Sequence, residues 1–305
     1  MTAKTNLAGM TLAMLFVLAF CAGQALAQED WVSVKERIGA QGTIDWTGGY
    51  MEAVGTGAPP ARYYGKPQAW PMALRAAQID AYRNLLETAR GVRIDSETTV
   101  ANFTAQRDSV KAQVDGMVKG AQIVKREYLS DGTVEITLRM PLQGGFTQLL
   151  LPTEVRQIPE IRVERPSAPA SRPAAQSEPN QALPEPETVM TPVVYTGLVV
   201  DARGLAARPA MAPRVLDEDG REVYGAAFVS REFAVQHGMA GYARDVVLAQ
   251  ENMRVAASPL TVKGIRTEGE GRADIVIPRS DANRLRAGSE NLAFLKNCRV
   301  MIVLD

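Results

Sequence analysis

Histidine is almost missing from this 305-residue chain: His237 is the single one, and cysteine occurs only as Cys21 and Cys298. Zinc centres and nucleophilic relays draw on these two residue types, so a zinc site or a Ser/His or Cys/His relay is close to excluded. Excess charge of either sign is missing too. Lys+Arg number 34 and Asp+Glu 34, a balance that leaves no electrostatic footprint for nucleic acid or an anionic membrane surface. Long apolar runs are also lacking. The longest, from about Thr11 to Ala22, is well short of the ~20 residues needed to span a bilayer.

That run has another use. It follows Lys4 and precedes Ala25 and Ala27, the three-part layout of a secretory signal peptide, which predicts cleavage after Ala27 and a periplasmic chain beginning at Gln28. The competing reading is a lipoprotein signal with an acylated Cys21. Phe20 stands where that processing wants a small residue, so the ordinary cleavage is favoured. Removing residues 1–27 leaves Cys298 alone, and a fold with one cysteine must hold by its core, without an internal disulfide. Within "NCRVMIVLD" this thiol reads as buried and inert.

Across residues 152–192 the composition changes: nine of the chain's 18 prolines fall there, with no glycine and no aromatic residue. Such a stretch cannot bury enough apolar surface to offset chain ordering, so it predicts an extended spacer. The resulting organisation is a signal peptide (1–27), a first α+β domain (28–151), a proline-rich linker (152–192) and a second α+β domain (193–305). At about 3 Å per residue the linker reaches on the order of 100 Å, enough for the domains to engage separate partners.

In the first domain, "RAAQIDAYRNLLETARG" carries the strongest pattern. Leu74, Ala77, Ala81, Tyr82, Leu85, Leu86 and Ala89 recur at threes and fours, with Arg75, Asp80, Arg83, Asn84, Glu87 and Arg90 opposite. That is an amphipathic helix with Pro71 in its first turn and Gly91 fitting the left-handed position past its end. Its alanines suit close docking on its own sheet, or a face that waits for a partner. "GTIDWTGGYMEAVGTGAPP" reads as one bent strand followed by a turn at Gly55 and Gly57. A weaker helix is predicted over residues 105–114. "AQIVKREYL" and "TVEITLRM", joined at Asp131 and Gly132, form a hairpin. The expected first domain is this helix on an antiparallel sheet of about three strands.

The second domain reads as strands with short helices. "RVLDEDGREVYG" predicts a hairpin at Asp219 and Gly220, and "LVVD", "SPLTVKGI", "ADIVIP" and "CRVMIVLD" predict further strands. Helices are expected in "ARDVVLAQEN" and in "SDANRLRAG", the latter started by Ser280 or Asp281 and closed by Gly288. No strand order follows from the pattern.

No residue is nominated as catalytic, cofactor-binding or metal-binding, and no cofactor is implied. His237 precedes Gly238 in a turn. Asp217, Glu218, Asp219 and Gly220 lack the spaced oxygen ligands of a calcium loop and read as a hairpin turn. Tyr63, Tyr64 and Trp70 cluster before the main helix. Packing over its start is the favoured reading, a binding surface the alternative.

"MEAVGTGAPP", "ALRAAQIDAYRNLLETARGVRIDSETTV" and "VKGAQIVKREYLSDGTVEITLRMPL" together resemble the lipoprotein-20 (LPP-20) family of exported bacterial envelope proteins. They are also similar to the N-terminal domain of flagellar assembly protein T. The resemblance covers about residues 42–142 and rests on Ala53 and Gly55, the alanine-spaced helix ending at Gly91 and the closing hairpin. It implies an exported α+β domain with outer-membrane association and a part in assembling the outer membrane or flagellar base. The implied partners are envelope or basal-body proteins, and no catalytic residue is implied. The expectation is a non-catalytic interaction or assembly protein; the alternative is a periplasmic small-molecule-binding protein. The first should expose an apolar or sheet-edge surface, the second a concave pocket with convergent polar groups.

Overall fold

Close approach of backbone to backbone organises the first half. In the computed structural model, which describes residues 33–105, 107–151, 195–287 and 289–305, five strands form one antiparallel sheet. They are β1 (Lys35–Ile38), β2 (Gly42–Asp45), β3 (Tyr50–Gly57), β4 (Gln122–Tyr128) and β5 (Val134–Pro141), in the order β1-β2-β3-β5-β4. Helix α1 (Ala69–Gly91) lies across one face. The signal peptide with its cleavage after Ala27, Cys21, the 152–192 linker and Gly288 fall outside the described residues.

The sheet has five strands where about three were expected. The stretch read as one bent strand folds back on itself: Gly49 (φ +69°) helps turn β2 into β3, and Asp45 Oδ1 accepts the Gly48 amide at 2.7 Å. β1 then adds an outer strand beside β2. The "GTG" stretch is the end of β3 rather than a turn. A methyl carbon at Gly55 would lie 2.0 Å from the Ala81 nitrogen, and one at Gly57 would lie 2.3 Å from the Ala73 oxygen. Glycines on the strand and alanines on the helix therefore remove the atoms that would hold α1 away.

The fully buried face of α1 is Ala73, Ala77, Ala81, Leu85, Thr88 and Ala89. Leu74, Tyr82 and Leu86 flank it, partly buried. Gly91 is the last helical residue and takes no left-handed conformation; Val92 continues as extended chain. A methyl at Gly91 would meet Ile38 Cγ2 at 2.5 Å, so glycine is needed there for space. The single helix expected over residues 105–114 is two helices, α2 (Val100–Thr104) and α3 (Asp108–Lys119). α3 buries Val114 and Val118, and α4 (Gly145–Leu150) buries Phe146 and Leu150.

The second half contains two further sheets. β6 (Leu198–Asp201), β9 (Gly241–Ala243), β10 (Leu260–Lys263) and β13 (Val300–Val303) form a parallel sheet ordered β10-β6-β13-β9. β7 (Val215–Leu216), β8 (Glu222–Tyr224), β11 (Arg266–Glu268) and β12 (Asp274–Val276) form a mixed sheet ordered β11-β12-β7-β8. The expected hairpin at Gly220 (φ +74°) joins β7 to β8. Short helices α5 (Arg231–His237), α6 (Val246–Glu251), α7 (Arg279–Arg286) and α8 (Ser289–Lys296) fill the connections. α7 starts after Pro278, one residue or more earlier than Ser280 or Asp281 would have placed it.

The halves pack on each other. Trp46, Leu142 and Phe146 of the first belong to the same apolar core as Met211, Met239 and Tyr242 of the second, and the Trp46 and Tyr242 rings meet edge to face at 5.8 Å. Residues 92–99, which follow α1, run into the second half. The Met211 and Ala212 amides donate to the Arg93 and Ile94 carbonyls at 3.0 and 2.7 Å. The buried Ser96 hydroxyl accepts from the Ala273 and Asp274 amides at 3.1 and 2.8 Å. Glu36 receives Arg93 at 2.7 Å and Arg208 at 2.6 Å. The reach that the linker composition allows is therefore not what sets the spacing of these halves.

Candidate interaction surface

Three places weighed for chemistry, His237, Cys298 and the turn at residues 217–220, take these positions in the structure. His237 ends α5, exposed, with its ring stacked on Phe233 at 6.1 Å. Its carbonyl, with those of Gly238 and Cys298, accepts from the Arg254 guanidinium. Cys298 is buried with φ 56° and occupies the left-handed position that closes α8, where its amide donates to Leu295 O and that of Arg299 to Phe294 O, both at 3.0 Å. Burial pushes its thiol up to about 11, so the thiolate needed for nucleophilic chemistry does not form near neutrality.

The acidic turn is likewise spent on arginine. Asp217 has no exposed surface and accepts from the Asp219 and Arg221 amides, from Arg221 Nε at 3.0 Å and from Arg286 Nη1 at 2.8 Å. Burial alone would raise its pKa, but the bonds from Arg286 and from the two amides outweigh burial and hold it at about 2. Glu218 accepts the Arg279 amide, and Asp219 pairs with Arg221 and Arg279. Among the described residues no group of three His, Cys, Asp or Glu side chains is placed to hold a metal.

Two concavities bear on the ligand-binding alternative. A cleft of about 40 Å³ lies on the seam between the halves, lined by Trp46, Leu142, His237, Met239 and Tyr242 among others; it is far below the volume of a small-molecule site. A trough of about 550 Å³ is lined by Ile94, Asp95, Glu97, Asn102, Phe103 and Arg107 among others. Two of its polar groups turn to their own neighbours. Asp95 Oδ1 accepts the Glu97 and Thr98 amides, and Arg107 covers the Phe103 ring at 4.1 Å.

The distinctive surface is the β4 edge. Among the described residues β4 pairs with β5 on one side and with no strand on the other. The Leu129 amide, just past it, donates to Thr133 O at 2.8 Å and so points inward; by strand alternation, Arg126 and Tyr128 turn their N–H and C=O groups outward. Val124 is 43 %, Tyr128 56 % and Leu129 40 % exposed. Trp70, at the start of α1, meets the Tyr128 ring edge to face at 5.3 Å. Tyr64 reaches the same end of the sheet, 3.5 Å from where a Gly132 methyl would stand.

The aromatic cluster expected to cover the helix start thus lies partly open, with Tyr64 53 % and Trp70 41 % exposed. A β-bulge at Val124, between Ile123 and Lys125, interrupts the edge, and Lys125 pairs with Glu127 at 2.9 Å on the open face of the sheet. Sequence reasoning nominated Trp70 but missed Val124, Tyr128 and Leu129. Their signal depends on which strand ends the sheet. Among the described residues no helix is long and apolar enough to cross a membrane.

A family model for the second domain of Treponema pallidum Tp0624 matches residues 197–305. The match spans the second half and stops short of the β4 surface. No curated protein matches the chain.

Proposed function

We propose that this is an exported, non-catalytic envelope protein that works by holding other proteins at the β4 edge, in assembly of the outer membrane or the flagellar base. The observation that carries this reading is the edge itself: outward-facing backbone groups flanked by Val124, Tyr128, Leu129 and Trp70. Sheet edges of this kind add a strand from a partner, with backbone bonds giving affinity and flanking side chains giving choice. The resemblance of residues 42–142 to the LPP-20 family supports the envelope as the setting, and the leader at residues 1–27 supports export through a signal peptide cleaved after Ala27.

The test is affinity capture from the native envelope, comparing the natural protein with Tyr128→Lys and Val124→Asp. Both positions are exposed, so Val124→Asp should stay within about 0.5 kcal/mol of the natural protein and Tyr128→Lys, which loses the Trp70 ring contact, within about 1.5 kcal/mol, while captured envelope or basal-body proteins should fall at least tenfold. Unchanged capture by both variants would overturn the reading. So would normal motility and envelope integrity in a deletion strain whose purified protein binds a small metabolite tightly, which would favour a ligand-binding protein instead. Intact-mass analysis of protein from its native host should give a chain starting at Gln28 without an acyl group; a lipid on Cys21 would replace that assignment.

A further inference from the structure

We infer that the β4 edge accepts a second copy of this chain, two β4 strands pairing antiparallel about a two-fold axis at Arg126. The inference rests on the reading of β4 as a docking edge and names one occupant for it. Backbone geometry restricts the choice. Outward N–H and C=O groups belong to Arg126 and Tyr128, so a symmetric ladder closed by direct hydrogen bonds must place one of these opposite itself or opposite the other.

Charge decides among these registers. Placing Arg126 opposite Tyr128 of the other copy sets Glu127 against Glu127, which is unfavourable. Placing Tyr128 opposite itself sets Glu127 against Leu129 and runs the ladder into the turn at Ser130 and Asp131. Placing Arg126 opposite itself sets Lys125 against Glu127 twice, once on each side of the axis, and Val124 against Tyr128 twice. The strand is thus complementary to its own reverse in charge and in apolar surface. Lys125 and Glu127 are 60 % and 45 % exposed and already meet within one strand at 2.9 Å, so the same two charges exchange partners rather than lose water for nothing.

The two Arg126 side chains face each other on the α1 side of the sheet, in the same row as Tyr128. Aromatic faces there can hold a guanidinium, which offsets like-charge repulsion at the axis. The bulge at Val124 breaks the regular ladder after a short run. The dimer is therefore small and reversible, with a dissociation constant on the order of 10 µM, at the weak end of specific interfaces.

Sedimentation velocity of the chain from Gln28, between about 1 and 200 µM, should show a monomer–dimer equilibrium that weakens at least threefold in about 0.5 M salt. Lys125→Glu should weaken it at least tenfold, and Lys125→Glu combined with Glu127→Lys should restore it. Under mild oxidation Arg126→Cys should cross-link to itself across the axis, where paired Cα atoms lie within disulfide reach. Tyr128→Cys should cross-link at least tenfold more slowly.

A chain that stays monomeric up to about 200 µM, with the Arg126→Cys variant cross-linking no faster than the Tyr128→Cys variant, would overturn the inference. So would faster cross-linking of the Tyr128→Cys variant, which would select the rejected register. If such a monomer still loses envelope partners on Tyr128→Lys, the docking reading survives and only the second copy is excluded.

Discussion

At the residue scale, Gly55 and Ala81 bear on whether the alanine face is packed or waiting. Ala81 has no exposed surface, and its nitrogen would lie 2.0 Å from a methyl at Gly55. Gly55→Ala pushes backbone on backbone and is expected to cost about 2 to 3 kcal/mol. Ala81→Glu buries an unpaired charge and should cost about 3 kcal/mol or more. Arg83, 74 % exposed and 3.7 Å from Asp80, should cost less than about 1 kcal/mol as Arg83→Ala. Thermal melts of the full chain check all three; equal small losses would mean that α1 does not sit on β3.

Asp217 makes a second residue-scale case. Its pKa is lowered to about 2, so the folded state favours the carboxylate. That contribution is complete above the ordinary carboxyl range at about pH 4 and is lost as pH falls toward 2. Asp217→Asn should lower Tm at pH 7 by an amount equivalent to about 2 to 4 kcal/mol, since Arg286 and Arg221 lose their acceptor. It should also flatten the fall of Tm between about pH 4 and 2 relative to the natural protein. A mutant whose acid limb is as steep as the original would show that the pair does not govern it.

At the scale of elements, Cys298 is expected to react with an aromatic disulfide reagent at pH 8 roughly 100-fold more slowly in native buffer than in urea, because burial keeps the thiol protonated between α8 and β13. Comparable rates in both would place that joint at the surface. This element reading was available from "NCRVMIVLD", as were the two hairpins turning at Asp-Gly and the long helix through Ala77 and Ala81. Local chemistry alone specifies such features.

What was not legible depended on distant partners. Gly55 and Gly57 read as a turn because their reason for being glycine is α1, more than ten residues away. Gly91 read as a left-handed cap, yet its small size serves Ile38 across the fold. The β4 edge could not be read either, because an edge is defined by which strand fails to arrive next to it. Parallel pairing of β6 with β10 and β13 likewise has no hairpin signal to announce it.

At the scale of the whole molecule, the halves should behave as one body even when the chain between them is cut. Limited proteolysis is still expected to cut within residues 152–192, where the composition offers no core. Trp46, Leu142 and Phe146 share a core with Tyr242, and residues 92–96 bond to Met211, Ala212 and Asp274, so the fragments should elute together in native buffer. They should part in denaturant. Separate native peaks would show that the seam does not hold. For the same reason, removing residues 193–305 is expected to lower the melting temperature of what remains, since it uncovers that core.

The strap at residues 92–99 also bears on how such a protein can be passed between genes. A recombination event that carried only residues 197–305 into a new context would leave the Ala273 and Asp274 amides without the Ser96 hydroxyl, and Met211 and Ala212 without their carbonyl acceptors. Any of these donors that a new neighbour then covered without offering an acceptor would be costly. A second half moved by itself would therefore have to meet those three places with other acceptors, on water or on a new neighbouring segment.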